Sequence, residues 1–181
     1  FGGVDILVTN AGGPPPGGFD DLTDDQWETG VDHLLFSVIR MVRGVVPYMK
    51  KKKWGRIIPI TSVSVKQPIE NLMLSNAVRP AVIGLAKSLS FELAPHGITV
   101  NSVGPTFTRT ARLEELAAAR AAKTGATVKE VFDQWEAGIP IGRLGRPEEM
   151  ADLVLFLASE RASFLTGLTI TFDGGSVRGL L

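Results

Sequence analysis

Short apolar runs that close on glycine- or proline-bearing turns alternate along this chain with longer segments in which apolar residues recur every three or four positions. Runs of that length suit strands buried on both faces, and the periodic segments suit crossover helices. Together they imply a parallel sheet covered by helices. The first run, Asp5-Ile6-Leu7-Val8, passes into Thr9-Asn10-Ala11-Gly12-Gly13. Residues 14–18, three prolines and two glycines, support neither ladder nor helix and read as a loop. Thr23-Asp24-Asp25-Gln26 then opens a helix as a capping box. Trp27, Val31, Leu34, Leu35, Val38, Val42 and Val45 follow on one face, and the helix is expected to end near Met49. Lys50 to Lys53 sit where the helix dipole is negative, so they read as a solvated helix end rather than a nucleic-acid patch.

Arg56 to Ser62 reads as the second strand, with Pro59 awkward in it because proline donates no ladder bond. The next helix is expected over Pro80 to Leu93. A proline costs about 3 kcal/mol inside a helix and is tolerated in its first turn, so the regular helix starts or kinks at Pro80. Ile98 to Val103 is the third strand, closed by Gly104-Pro105. Residues 110–138 hold two short helices around Gly125, the second opened by Thr127-Val128-Lys129-Glu130. Pro147-Glu148-Glu149 starts the last helix, and Leu168 to Phe172 is the last strand. Without repeat or linker, residues 1–181 are expected to form a single domain.

Charge narrows the function. Lys plus Arg and Asp plus Glu are both 19, a formal net charge of zero, so the basic excess that nucleic acid or an anionic membrane surface calls for is missing. With no cysteine there is no disulfide, thiol chemistry or thiolate metal site, and no metal is expected; the composition fits a cytoplasmic protein. No apolar run reaches the ~18 residues of a membrane span. The sequence starts at Phe1 and enters a core strand almost at once, which reads as a polypeptide lacking its N-terminal part.

In order and spacing, several of these segments resemble the short-chain dehydrogenase/reductase family. Asp5 to Gly12 looks like the family's fourth strand with its Asn-Ala-Gly turn, and Gly55 to Ser62 like the fifth strand ending at the active-site serine. Ile98 to Pro105 is similar to the sixth strand and the segment beside the nicotinamide. Ile139 to Glu149 and Phe164 to Gly175 resemble the C-terminal signature. The nearest flavour is the 3-oxoacyl-carrier-protein reductase type. The resemblance implies a Rossmann-like doubly wound α/β fold, of which this chain carries strands four to seven. It further implies NAD or NADP as cofactor, a small carbonyl or alcohol as substrate, a homo-oligomer, and a lid formed by residues 110–138. The family's glycine-rich phosphate loop, which lets a pyrophosphate approach the backbone at a helix N-terminus, has no counterpart at the start of this sequence.

The resemblance also assigns positions. The family's serine falls on Ser62, its tyrosine thirteen residues on falls on Ser75, and its lysine four further on falls on Arg79. Ala81-Val82-Ile83-Gly84-Leu85 secures that register, and the family's helix asparagine falls on Leu34. Cofactor contacts are expected at Asn10, Ala11, Gly12, Arg79, Pro105, Thr108 and Thr110, although the two threonines read equally well as helix caps. A phenol, with its ordinary pKa near 10, serves as a general acid when a lysine ammonium lowers it; a serine hydroxyl is a weaker and shorter acid. Arg79 keeps the charge and can hold a ribose hydroxyl or a phosphate, but it does not exchange protons at neutral pH. Carbonyl reduction is therefore expected to be weak or lost. The alternatives are a non-catalytic binding or assembly relative, and a serine-dependent esterase, which would need His33 or His96 as its base. Phe132 and Trp135 read as core of the lid rather than substrate contacts.

Overall fold

The computed structural model describes residues 2–180, leaving aside the side chain at position 112. Five parallel strands form one sheet: β1 (Ile6–Asn10), β2 (Gly55–Ile60), β3 (Ile98–Val100), β4 (Ser102–Pro105) and β5 (Thr169–Phe172). Its order is β1-β2-β4-β5, with β3 also on β2, so successive strands lie side by side and the helices between them cross over the faces. This is the expected Rossmann-like α/β arrangement.

The third expected strand is two strands, and Pro59 explains the division. Asn101 donates its N–H to the Ile57 carbonyl at 3.0 Å, and Thr61 donates to the Val103 carbonyl at 2.7 Å. In a parallel ladder the rung between them needs a donor at residue 59, which proline lacks. The pairing stops at Ile57↔Val100 and resumes at Ile60↔Val103. Asn101 fills the break: its amide donates to the Leu165 carbonyl at 2.8 Å and accepts from the Leu168 N–H at 3.2 Å, stitching on the lead-in to β5.

The first helix forms at its capping box, Thr23 accepting from the Gln26 N–H, and runs as α1 (Asp24–Val31). It passes through one π-helical turn, Asp32–Phe36, into α2 (Ser37–Lys52). It thus extends past the expected end at Met49, and Lys53 closes it in a left-handed conformation at φ 56°. The π turn adds a residue to the spacing and keeps both Leu34 and Val38 buried.

α3 (Met73–Leu93) starts seven residues before Pro80, contrary to expectation. Its first turns are fixed from outside: Asn76 binds both the N–H and the carbonyl of Ile69, at 3.1 and 2.8 Å. Those contacts and burial of Leu74, Ser75 and Val78 offset the one hydrogen bond that Pro80 removes. α4 (Ala111–Thr124) and α5 (Val128–Ala137) form a separate small core, in which Leu113, Ala117, Val131 and Phe132 are buried. α6 (Pro147–Ala158) packs over β2 and β4, with Leu157 against Ile58 and Val103.

β1 is paired on one side only, with β2, and its Ile6 and Val8 side chains are exposed. Among the described residues no helix is long and apolar enough to cross a membrane.

Candidate active site

The carboxyl ends of β1, β2 and β4 open into a cavity of about 420 Å3. In parallel α/β sheets this is where ligands bind, because loops and helix starts converge there. Asn10, Ala11, Ser62, Ser75, Arg79, Pro105, Thr108 and Thr110 all line it, so the structure brings together eight of the nine positions singled out from the sequence. Gly12 is exposed on the same turn but is not part of the wall.

Ser62 ends β2's extension and caps the short 3-10 turn Val63–Val65, its hydroxyl accepting the Ser64 N–H at 3.1 Å. The hydroxyl proton remains available to a ligand. Ser75 lies in the first turn of α3, only 4% exposed, with its Oγ 3.4 Å from the Oγ of Ser64. Ser64, buried and joined to Ser75, lies behind the wall; the hydroxyl-rich run after the strand is its only sign in the sequence.

Arg79 follows Ser75 by one helical turn and shares its face of α3. It is 8% exposed, and its two terminal nitrogens donate to the carbonyls of Thr61 at 3.0 Å and Ala11 at 3.4 Å. It thereby ties the end of β2 to the turn after β1. Burial holds its pKa below the ordinary arginine value. No Asp, Glu, Lys or His occurs among the described residues of the cavity wall.

The threonines divide. Thr110 caps α4, accepting the Leu113 N–H at 3.3 Å, while the Thr108 hydroxyl donates to the Thr106 carbonyl at 3.2 Å. Both face the cavity as well. Leu34 packs with Leu74 and Val78 in an apolar cluster. Phe132 is buried in the small core, and Trp135 stacks on the wall residue Phe107 at 4.9 Å between ring centres. The single tyrosine, Tyr48, is half exposed on α2 and lines a different depression with Gly3 and Asp5. His33 lines a separate pocket with Asp25 and Thr29, and His96 lies in the turn before β3, at the opposite end of the sheet. Among the described residues neither imidazole is hydrogen-bonded to Ser62 or Ser75.

A parallel sheet with helices across its faces and a cavity at its carboxyl edge defines the chain as a Rossmann-like α/β protein. A family model described as enoyl-(acyl carrier protein) reductase matches residues 1–177. The chain belongs to the short-chain dehydrogenase/reductase family of oxidoreductases. It is 39% identical over 179 residues to the 3-oxoacyl-[acyl-carrier-protein] reductase FabG of Salmonella typhimurium, covering 97% of this chain and 67% of that protein. It is 37% identical over 177 residues to a putative ketoacyl reductase of the monensin polyketide synthase from Streptomyces virginiae, covering 97% and 68%. L-sorbose reductase from Gluconobacter frateurii, solved with NADPH and L-sorbose, superposes with a TM-score of 0.94 at 30% identity, over 99% of this chain and 69% of that one. The chain thus spans about two-thirds of the length of these relatives.

Members of this family bind a nicotinamide nucleotide, and two wall groups could meet its hydroxyls. Arg79 retains N–H donors beyond the two it uses, and Ser62 keeps its hydroxyl proton.

Proposed function

We propose that this chain is a short-chain dehydrogenase/reductase relative whose cavity binds ligands but carries out ordinary carbonyl reduction weakly or not at all. Ser75 carries the reading: a small, buried hydroxyl, bonded to another serine, occupies the position that the family gives to its phenolic acid. Bound NAD or NADP supplies a hydride in this family. The chain's own part is to place a carbonyl and give its oxygen a proton, and that second task is where it falls short. Ser62 can donate a hydrogen bond to a carbonyl oxygen, which orients and polarises it. Among the described residues neither Ser62 nor Ser75 has a base or an acidifying ammonium against it, and Arg79 stays charged. Asn10, Ala11, Pro105, Thr108, Thr110 and Arg79 hold the nicotinamide end, and α4 with α5 covers the cavity as a lid on a single domain. The apolar side chains exposed on α6 and beside β5, Leu155, Phe156, Phe164 and Leu168, support a homo-oligomer formed through that unit.

The test is nicotinamide oxidation, with NADH and with NADPH, against a β-ketoacyl thioester. The expected result is turnover at background for the natural chain and a rise for the double variant Ser75→Tyr, Arg79→Lys. Brisk reduction by the unaltered chain, free of contaminating enzyme, would overturn the proposal.

A further inference from the structure

Among the described residues Arg79 is a buried cation with no anion. Its two hydrogen bonds go to neutral carbonyl oxygens, and none of the described wall residues is acidic. Burying a guanidinium without a counter-charge costs several kcal/mol, and backbone carbonyls recover only part of that. A ribose hydroxyl is neutral, so a hydrogen bond to one leaves this charge uncompensated. The rest of the cavity is largely apolar, with Ile60, Val63, Ile69, Leu72, Leu113 and Met150 around it. Its size, about 420 Å3, lies within the usual range for small ligands, roughly 300–1,000 Å3.

We infer that this cavity takes a small apolar carboxylic acid in its ionised form, the carboxylate lying on the free N–H groups of Arg79 and the apolar body against the aliphatic wall. The inference rests on the reading of this cavity as a ligand site. One positive charge suits a carboxylate, whereas a phosphate dianion would remain half neutralised. A planar guanidinium meets a carboxylate through paired N–H donors, and the low polarity around it strengthens that bond. Ser75, one turn away on the same helix face, adds a hydroxyl donor.

Calorimetric titration of the 181-residue chain with hydrocinnamate, with its neutral amide hydrocinnamide, and with inorganic phosphate tests this. The acid is expected to bind at least about tenfold more tightly than the amide or phosphate, the scale of one charge-assisted hydrogen bond. Arg79→Gln should abolish that preference, and Arg79→Lys should keep part of it. Equal affinity for acid and amide in the natural chain would overturn the inference, as would phosphate binding as tightly as the acid. Because the acid–amide comparison is made on the natural chain, a variant that fails to fold does not decide it. The two readings fail separately: ketone turnover breaks the function proposed above, and loss of the acid preference breaks this one.

Discussion

Two arginines are buried at opposite ends of β2, and the protein surrounds them differently. Arg56, at the amino end, is 2% exposed, stacks on the Trp54 ring at 4.4 Å, donates to the Gly55 carbonyl, and forms an ion pair with Glu160 at 3.6 Å. Glu160 also accepts from the Trp54 indole N–H, so the three side chains clamp the start of β2 to the turn after α6. Arg79, at the carboxyl end, has neither a carboxylate nor an aromatic face among the described residues and borders a cavity instead. A cation with a carboxylate, an aromatic face and a carbonyl set around it is a structural part, although the Arg56 Nε has no hydrogen-bond partner among the described residues. One that lacks its counter-ion beside an open space is available for something else.

The largest effect should come from Arg56→Ala, which removes a fully packed side chain. We expect a loss of about 2–4 kcal/mol in denaturant melts, and a loss under about 1 kcal/mol would erase the contrast. Glu160→Gln keeps an acceptor for Trp54 and removes only the charge of a largely exposed group, so about 1 kcal/mol is expected. Arg79→Met should leave stability within about 1 kcal/mol of the natural chain, or raise it, because the lost carbonyl contacts are set against a relieved desolvation. A drop as large as that of Arg56→Ala would mean that Arg79 is structural.

The smallest effect belongs to a surface network. Glu149 accepts from Arg143 at 2.7 Å, and its carboxyl is lowered to about 2, first by that hydrogen bond and then by the Arg146 N–H. A folded-state value below the ordinary one means that the contribution is present above about 4.5 and disappears as pH falls toward about 2. The melting temperatures of the natural chain and Glu149→Gln should therefore converge across that interval, and added salt should shrink the gap between them at higher pH. A gap that stays constant with pH would remove Glu149's charge from the account.

The alternation of strands and helices was legible because short apolar runs mark the strands and apolar residues recur every three or four positions in the crossover helices. Both capping boxes, at Thr23 and Thr127, formed as read. The departures share a cause, since each depends on a contact made outside the segment in question. The local cost of Pro80 argues for a helix start or a kink there, whereas Asn76's grip on Ile69 and the burial of Leu74 extend α3 ahead of it. Ile98 to Val103 was read as one strand, because nothing local reveals that its missing donor is Pro59, some forty residues earlier. The candidate site positions follow from the family resemblance. The surroundings of Arg79 do not, since carbonyls at Thr61 and Ala11 leave no mark in composition.

The missing rung at Pro59 also bears on how the sheet opens. An interrupted ladder need not melt in one piece, and the interruption lies just below the cavity. On the far side of that seam, Thr61 shares a backbone bond with Val103 and lends its carbonyl to Arg79. In deuterium exchange the amides above the seam should therefore label before those of Ile57 and Val100, giving the pocket wall freedom to breathe over a base that stays shut.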